Sequence, residues 1–205
     1  MMKFKKRWIF TIPALALAFF AGACTPKPFL KVQYQLPSPS NTLEAEKVTL
    51  AVSDMRGKKA ILTENASKSL KNFNETFSLV VLREDGSGDL IGVYDLVSLL
   101  TEVFRQRLKN EGVHVAAVAD NALPELKIEV TEFQLDSAKG KWAVSMNYRA
   151  SLLDEGSILS KESVSGEAER LSVTGKSDAE KILGELLSDM ANKLNLVRLF
   201  QQARQ

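Results

Sequence analysis

The chain has one cysteine and one histidine in 205 residues. A lone cysteine excludes an intramolecular disulfide, so a folded body must be held together by its core. A zinc site takes three or four His, Cys or carboxylate ligands, and with a single thiol and a single imidazole no metal site is expected. Charge of one sign is lacking as well: 27 Lys and Arg meet 25 Asp and Glu, with no basic arm or acidic tail. That balance speaks against a nucleic-acid partner, whose binders carry a strong basic excess. No internal repeat stands out. Apolar runs of any length are missing except for one at the N-terminus.

That one run is informative. Lys3, Lys5, Lys6 and Arg7 precede an apolar stretch from Trp8 to Phe20, and Ala21-Gly22-Ala23-Cys24 follows it. The stretch is shorter than the roughly 20 residues a membrane span needs, and Pro13 interrupts it. A cationic start, a short apolar run and small residues before a cut are the marks of a secretory leader. The order resembles the lipobox of bacterial lipoproteins, which implies that residues 1–23 are removed and that the thiol of Cys24 is acylated. Ala21 stands where Leu is commoner, and Ala21-Gly22-Ala23 also meets the small-residue rule of ordinary secretion. Without the four basic residues of the leader, the net charge of the chain turns to about −2.

Residues 24–46 read as a lipidated N-terminus and flexible tether. Pro26, Pro28, Pro37 and Pro39 oppose helix and favour extended backbone. Leu30, Val32, Tyr34 and Leu36 alternate with polar residues, consistent with a short edge strand inside that tether. At about 3.3 Å per residue, the stretch would hold a body clear of the head groups.

The body is expected at 47–205 as one α+β domain. Val48, Leu50 and Val52 alternate up to Ser53-Asp54-Met55-Arg56-Gly57, predicting a strand and a turn. Residues 59–63 read as a second strand, 64–76 as a loop with a helical turn at Leu70 and Phe73, and 77–82 as a buried strand. A helix is predicted over 93–111, on the stripe Val93, Leu96, Val97, Leu100, Phe104 and Leu108, closed by Gly112. A strand through Val113, Val115 and Val118 comes next. Residues 125–172 read as an antiparallel meander with a bulge near Thr131 and Glu132 and turns at 136–140 and 154–156. A last helix starts at Ser177, where Glu180 completes the capping-box spacing. Asn195 breaks it, and Leu196 to Phe200 form an apolar tail. The expected class is an antiparallel sheet packed against two amphipathic helices.

Candidate chemistry is sparse. His114 lies beside valines in a predicted strand, the setting of a structural histidine. Glu129 and Glu132 resemble a carboxylate pair for glycoside cleavage, but on a half-wet strand they read as solvent-face residues. Ser67-Lys68 and Ser160-Lys161 sit in polar segments where nothing would depress a lysine pKa. Gly86-x-Gly88 is too short and too acidic to cradle a phosphate. Trp142 and Tyr148, at period-two spacing beside Val144 and Met146, read as core. Asp54 and Arg56, two apart after a strand, are the candidate partner-binding pair, or else a surface ion pair at a turn. No catalytic residue, metal or cofactor is implied, and the chain is expected not to be an enzyme.

The order of parts resembles the YajG-like lipoproteins of Gram-negative bacteria. The likeness rests on the lipobox cysteine, the Pro-rich stretch and the Val-x-Leu-x-Val strand ending in Asp54-x-Arg56. It continues through 95–103 with Gly112, through 126–130, and through 142–153 with Tyr148-Arg149-Ala150, to Leu-Phe-Gln-Gln at 199–202. Residues 57–88 are longer than that pattern. The resemblance implies a cell-envelope lipoprotein without an assigned enzymatic activity. Thr25 after the cysteine implies, by the family's sorting rule, delivery to the outer membrane (palmitate-type acyl chains in the bilayer, body in the periplasm). The expected partners are the membrane, through that lipid, and an envelope protein or lipid. The chain's form also looks broadly like the auxiliary lipoproteins of ABC-type envelope lipid transport systems, the alternative expectation.

Overall fold

The computed structural model describes residues 28–117 and 122–204. Cys24 and the leader lie outside the described residues. Two mixed sheets enclose the core. The smaller has the order β1 (Leu30–Gln35), β3 (Phe77–Leu82), β4 (Gly88–Tyr94). The larger has the order β5 (His114–Val115), β2 (Lys47–Asp54), β6 (Glu125–Ala138), β7 (Lys141–Asp154), β8 (Ser157–Leu171). Helices α1 (Glu64–Ser69), α2 (Leu96–Asn110), α3 (Lys176–Lys193) and α4 (Leu196–Ala203) complete the described elements.

The α+β class holds, but the sheet is not purely antiparallel. β1 pairs β3 in parallel, and β2 pairs both β5 and β6 in parallel. The meander is as expected. Thr131 falls where the β6–β7 register shifts, between Val130 and Glu132. The two hairpins turn on Lys139-Gly140 and Glu155-Gly156, all four at positive φ, the backbone of a two-residue turn that matches strand twist. One face of β6 and β7 buries Leu126, Ile128, Val130, Phe133 and Leu135 with Trp142, Val144, Met146, Tyr148 and Leu152.

α2 begins at Leu96 because the Asp95 carboxylate accepts from the Ser98 N–H, a side-chain cap at the helix start. Val93 therefore belongs to β4, where it is exposed, and not to the helix stripe. At the other end the Val113 N–H reaches the Leu108 carbonyl and the Gly112 N–H reaches that of Lys109, with Gly112 at φ +86°. This is a Schellman ending, and it explains the glycine. The strand expected at 59–63 shrinks to a bridge between Leu62 and Leu135, while residues 64–69 form α1. α4 replaces the expected tail: Asn195 caps it by accepting from the Arg198 N–H, and Leu196, Leu199 and Phe200 are buried.

The edge strand expected through Leu30, Val32, Tyr34 and Leu36 is present as β1, and the largest departure is that it belongs to the body and not to a tether. Leu30, Val32 and Tyr34 are fully buried, so the ordered body begins by Leu30, inside the stretch read as tether. The prolines that suggested a leash flank this strand without entering it. Its outer edge is sealed by α3. The Lys31 N–H donates to the Glu180 carboxylate at 2.9 Å, the Gln35 N–H to the Ser188 hydroxyl at 2.9 Å, and the Asn192 amide to the Gln35 carbonyl at 3.1 Å. Lys176 Nζ donates to the Phe29 carbonyl at 2.6 Å. Glu180 thus serves β1, and the expected capping box does not form. Gly175 precedes the helix without a side-chain cap.

Gly184 sits in the middle of this seam. A Cβ there would lie 2.7 Å from the Gln33 carbonyl oxygen and 3.1 Å from its nitrogen. Overpacking costs about 1–3 kcal/mol, and the helix-propensity gain over glycine offsets less than about 0.5 kcal/mol of it. Gly184→Val should therefore destabilise the protein by about 2 kcal/mol. Urea unfolding with an unchanged or raised midpoint would refute the close approach.

Candidate functional site

The larger sheet has one face on the helices and one that no described helix covers. On this open face the registers align polar residues in rows. One row is Ser53, Glu129, Arg149 and Ser163; the next is Ala51, Lys127, Ser151 and Lys161. Further along, Glu132 stands beside Asn147 and Gln134 beside Ser145. The alternation that buries Tyr148 and Ala150 is what turns Arg149 and Ser151 to this side.

The rows are not chemically uniform. Glu129 is paired to Lys127 at 2.9 Å. Glu132 accepts from the Ser145 hydroxyl and the Asn147 amide, each at 2.6 Å, so each of its oxygens is held by one donor. Arg149 and Lys161 make no hydrogen bond or ion pair among the described residues, and both are exposed. They stand on a diagonal, with Ser151 and Ser163 at the other two corners. A surface cavity of ≈ 410 Å³ lies here, lined by Arg149, Ser151, Lys161 and Ser163 together with Glu129, Glu162 and the exposed Ile158. Two unpaired cationic side chains on diagonal positions, whose backbones are about 7–8 Å apart, with hydroxyls at the other corners, suit an acidic group.

At the rim of this face is the Asp54–Arg56 pair. Arg56 is 6% exposed. Its Nε and Nη2 donate to the two Asp54 oxygens at 2.9 and 3.0 Å, and its Nη1 donates to the Phe133 carbonyl at 3.0 Å. Lys59 Nζ reaches the Asp54 carbonyl at 2.8 Å. The bidentate bonds from Arg56 hold the Asp54 carboxyl down at about 2, against the opposing push of burial. The guanidinium is thus spent inside the protein, clasping the end of β2 to β6. The clasp shapes a second groove of ≈ 290 Å³, lined by Arg56, Lys58, Thr131, Glu132, Phe133 and Gln134.

The other candidates fall apart in space. His114 is exposed at the start of β5. Glu129 and Glu132 share the open face but are bound to different partners. Trp142 and Tyr148 are core, and the Tyr148 hydroxyl donates to the Met190 carbonyl at 2.8 Å. Burial raises the pKa of Tyr148 and of Tyr34 well above the ordinary phenol value. Among the described residues no group of three His, Cys, Asp or Glu is placed to hold a metal ion, and no helix is long and apolar enough to cross a membrane. Sequence reasoning missed the Arg149–Lys161 diagonal. Arg149 was visible as the outward residue opposite Tyr148 and Ala150, but the register that sets Lys161 beside it was not.

The sequence matches no family model and no curated protein. Solved structures do resemble the chain. A Xanthomonas campestris protein described by the family model DUF330 is 15% identical, spans 87% of this chain and 98% of its own, and superposes with a TM-score of 0.51. That likeness establishes a shared fold. Rare lipoprotein B from Shewanella oneidensis is 11% identical, over 76% of this chain and 97% of its own, at a TM-score of 0.42. A minor lipoprotein from Acinetobacter baumannii is 12% identical, over 75% and 92%, at 0.35.

The clasp predicts a pH dependence. A carboxyl lowered from 3.8 to about 2 stabilises the fold fully above its unfolded value and loses that contribution as pH falls toward 2. Asp54→Asn should therefore be less stable than the wild type near neutrality, with the gap closing between about pH 4 and pH 2. A gap independent of pH in parallel unfolding curves would argue against an ionised clasp.

Proposed function

We propose that this chain is a cell-envelope lipoprotein of YajG-like type. In this reading it is acylated at Cys24, held on the periplasmic face of the outer membrane, and binds another envelope component through the open face of its larger sheet. It acts as a binding module and not as an enzyme. The observation that carries the binding role is the pair of cations without side-chain partners, Arg149 and Lys161, on a broad polar face where Lys127 takes Glu129 and the Ser145 hydroxyl and Asn147 amide hold Glu132. The lipobox carries the anchor. Asp54 and Arg56 enter as the clasp that fixes the rim and presents Lys58 beside Glu132.

Anchoring makes weak contacts sufficient. Each buried CH₂ contributes about 0.8 kcal/mol, so two or three acyl chains hold the body at the bilayer. Confinement then raises the effective concentration of any membrane-bound partner. The alternative, lipid carriage for an ABC-type transport system, needs an apolar channel. Between sheet and helices that space is filled by Trp142, Tyr148, Phe104 and Phe133, which favours the binding module.

Two tests follow. Cys24→Ser should release the body to the soluble periplasm or strand the precursor in the inner membrane; unchanged outer-membrane fractionation would overturn the anchor. A photocrosslinker at Ser165, one row from Arg149 on the open face, should capture a discrete partner in cells. Arg149→Glu combined with Lys161→Glu should abolish that product, and its persistence would overturn the assigned face.

A further inference from the structure

The lipid-anchor reading acquires a geometry once β1 is seen to be ordered. Only residues 25–29 separate Cys24 from Leu30, a span of at most about 20 Å when fully extended. The end of the body at which β1 begins is therefore held within that distance of the bilayer surface.

What lies at that end is unusual for a wet surface. Val173 is 81% exposed and Leu171 65%. Neither is a loose tip. The Val173 and Thr174 N–H groups both donate to the Asp178 carboxylate, whose pKa is lowered first by the Thr174 amide. Ser172 is tied to the β6–β7 turn through the Gly140 carbonyl at 2.9 Å. The apolar pair is thus presented on fixed backbone, three residues from Lys176, which binds Phe29 at the mouth of β1. Asn74 donates to the Pro28 carbonyl at 2.9 Å, which brings the turn after α1 to the same end.

At this end most carboxylates are held within the protein, and the side chains left free to meet an anionic surface are chiefly lysines. Glu64 is paired with Lys68, Glu169 with Lys141, and Asp136 is bound by the Thr63 hydroxyl. Asp178 faces Arg170 and the two amides, and Glu180 holds the Lys31 N–H. Lys71 and Lys139 make no ion pair or hydrogen bond among the described residues, against a single such carboxylate, Glu75. Lys71 borders a cavity of ≈ 230 Å³ shared with Leu30, Leu70, Phe73 and Lys176.

We propose that this end docks on the anionic surface of the bilayer that holds Cys24, with Leu171 and Val173 entering the head-group region and Lys71 and Lys139 meeting lipid phosphates. The proposal rests on the anchor reading above. Apolar side chains ringed by lysines are the composition of surfaces that lie in a membrane interface. Each lysine near an anionic surface adds a favourable contribution that decays within a Debye length.

The test uses the mature lipidated protein in vesicles of phosphatidylethanolamine and phosphatidylglycerol. Acylation blocks Cys24, so Val173→Cys supplies the one reactive thiol, to be labelled with an environment-sensitive fluorophore. Glu155→Cys is the control, in the β7–β8 turn at the far end of strands of 14 and 15 residues, roughly 45 Å away. The expected result is a blue shift and quenching by head-group-attached quencher at position 173, with neither at 155. Protein that co-floats with vesicles but leaves position 173 unquenched overturns the docking and leaves the anchor standing. Protein that fails to co-float overturns both. A blue shift that ignores the lipid quencher and grows with protein density assigns the end to a second copy and overturns the docking.

Discussion

Between Phe29 and Gln35, the backbone of β1 offers its outer hydrogen-bonding groups to a helix and not to another strand. The match is one of pitch. Along α3, Lys176, Glu180, Gly184, Ser188 and Asn192 recur every fourth residue, a step of about 6 Å. Along β1, the groups that face outward recur every second residue, a step of about 6.7 Å. Over the length of β1 the two rulers stay within a few ångströms of each other, so one helix face can satisfy successive strand positions. Lys176, Glu180, Ser188 and Asn192 supply donors and acceptors, and Gly184 supplies room where the backbones come closest. An open edge would otherwise be a template for pairing with other chains. The opposite face of α3 buries Ile182, Leu183, Leu186 and Met190. One helix therefore joins the small sheet to the large one, and the rest of the architecture hangs on it.

That seam explains which parts of the fold could be read from the sequence. The meander was legible because its rule is local: alternation from Trp142 to Leu152, a slip at Thr131, and glycines at both turns. α2 was legible for the same reason, with its stripe and its Gly112. The alternation at Leu30, Val32 and Tyr34 shows β1 as an edge strand, but its place in the body was missed, because four prolines surround it and its partners lie far along the chain. Its edge is satisfied by residues about 150 positions away. Glu180 shows the conflict in one side chain. Locally it completes a capping box with Ser177, yet the Lys31 N–H claims it, and tertiary structure overrides the local motif. The parallel pairings of β2 were hidden likewise, since nothing local to Val48 or Val52 distinguishes a parallel neighbour from an antiparallel one.

The candidate site was half legible. Asp54 and Arg56, read as a pair for a partner or for a turn, bond to each other, and the structure shows what two such residues do there. The end of β2 must be joined to a bulged strand, and a guanidinium bonded to Asp54 and to the Phe133 carbonyl does so at the position just past Thr131. A bulge leaves backbone groups without ladder partners, and a planar, multiply donating side chain is suited to reach one of them. The Arg149–Lys161 diagonal depends on a register between two strands joined by a turn, and only the folded hairpin reveals it.

Placing the ordered body at Leu30 also fixes a scale. If the mouth of β1 faces the membrane, β7 runs from Lys141 at that end towards Asp154 at the other. Arg149 is eight residues along, so Arg149 and its neighbours stand roughly 27 Å beyond the membrane-facing end at the usual strand rise. A flexible leash of 23 residues would leave the height of this face undefined, and any partner would have to search for it. Were Cys24 acylated, five residues between lipid and strand would confine the open face to a much narrower range of heights. Position would then supply part of the specificity: a component of the right charge would meet Arg149 and Lys161 only where it presents its acidic group within that range. The seam between α3 and β1 carries this argument as well, because it is what keeps β1 in the body instead of in the tether.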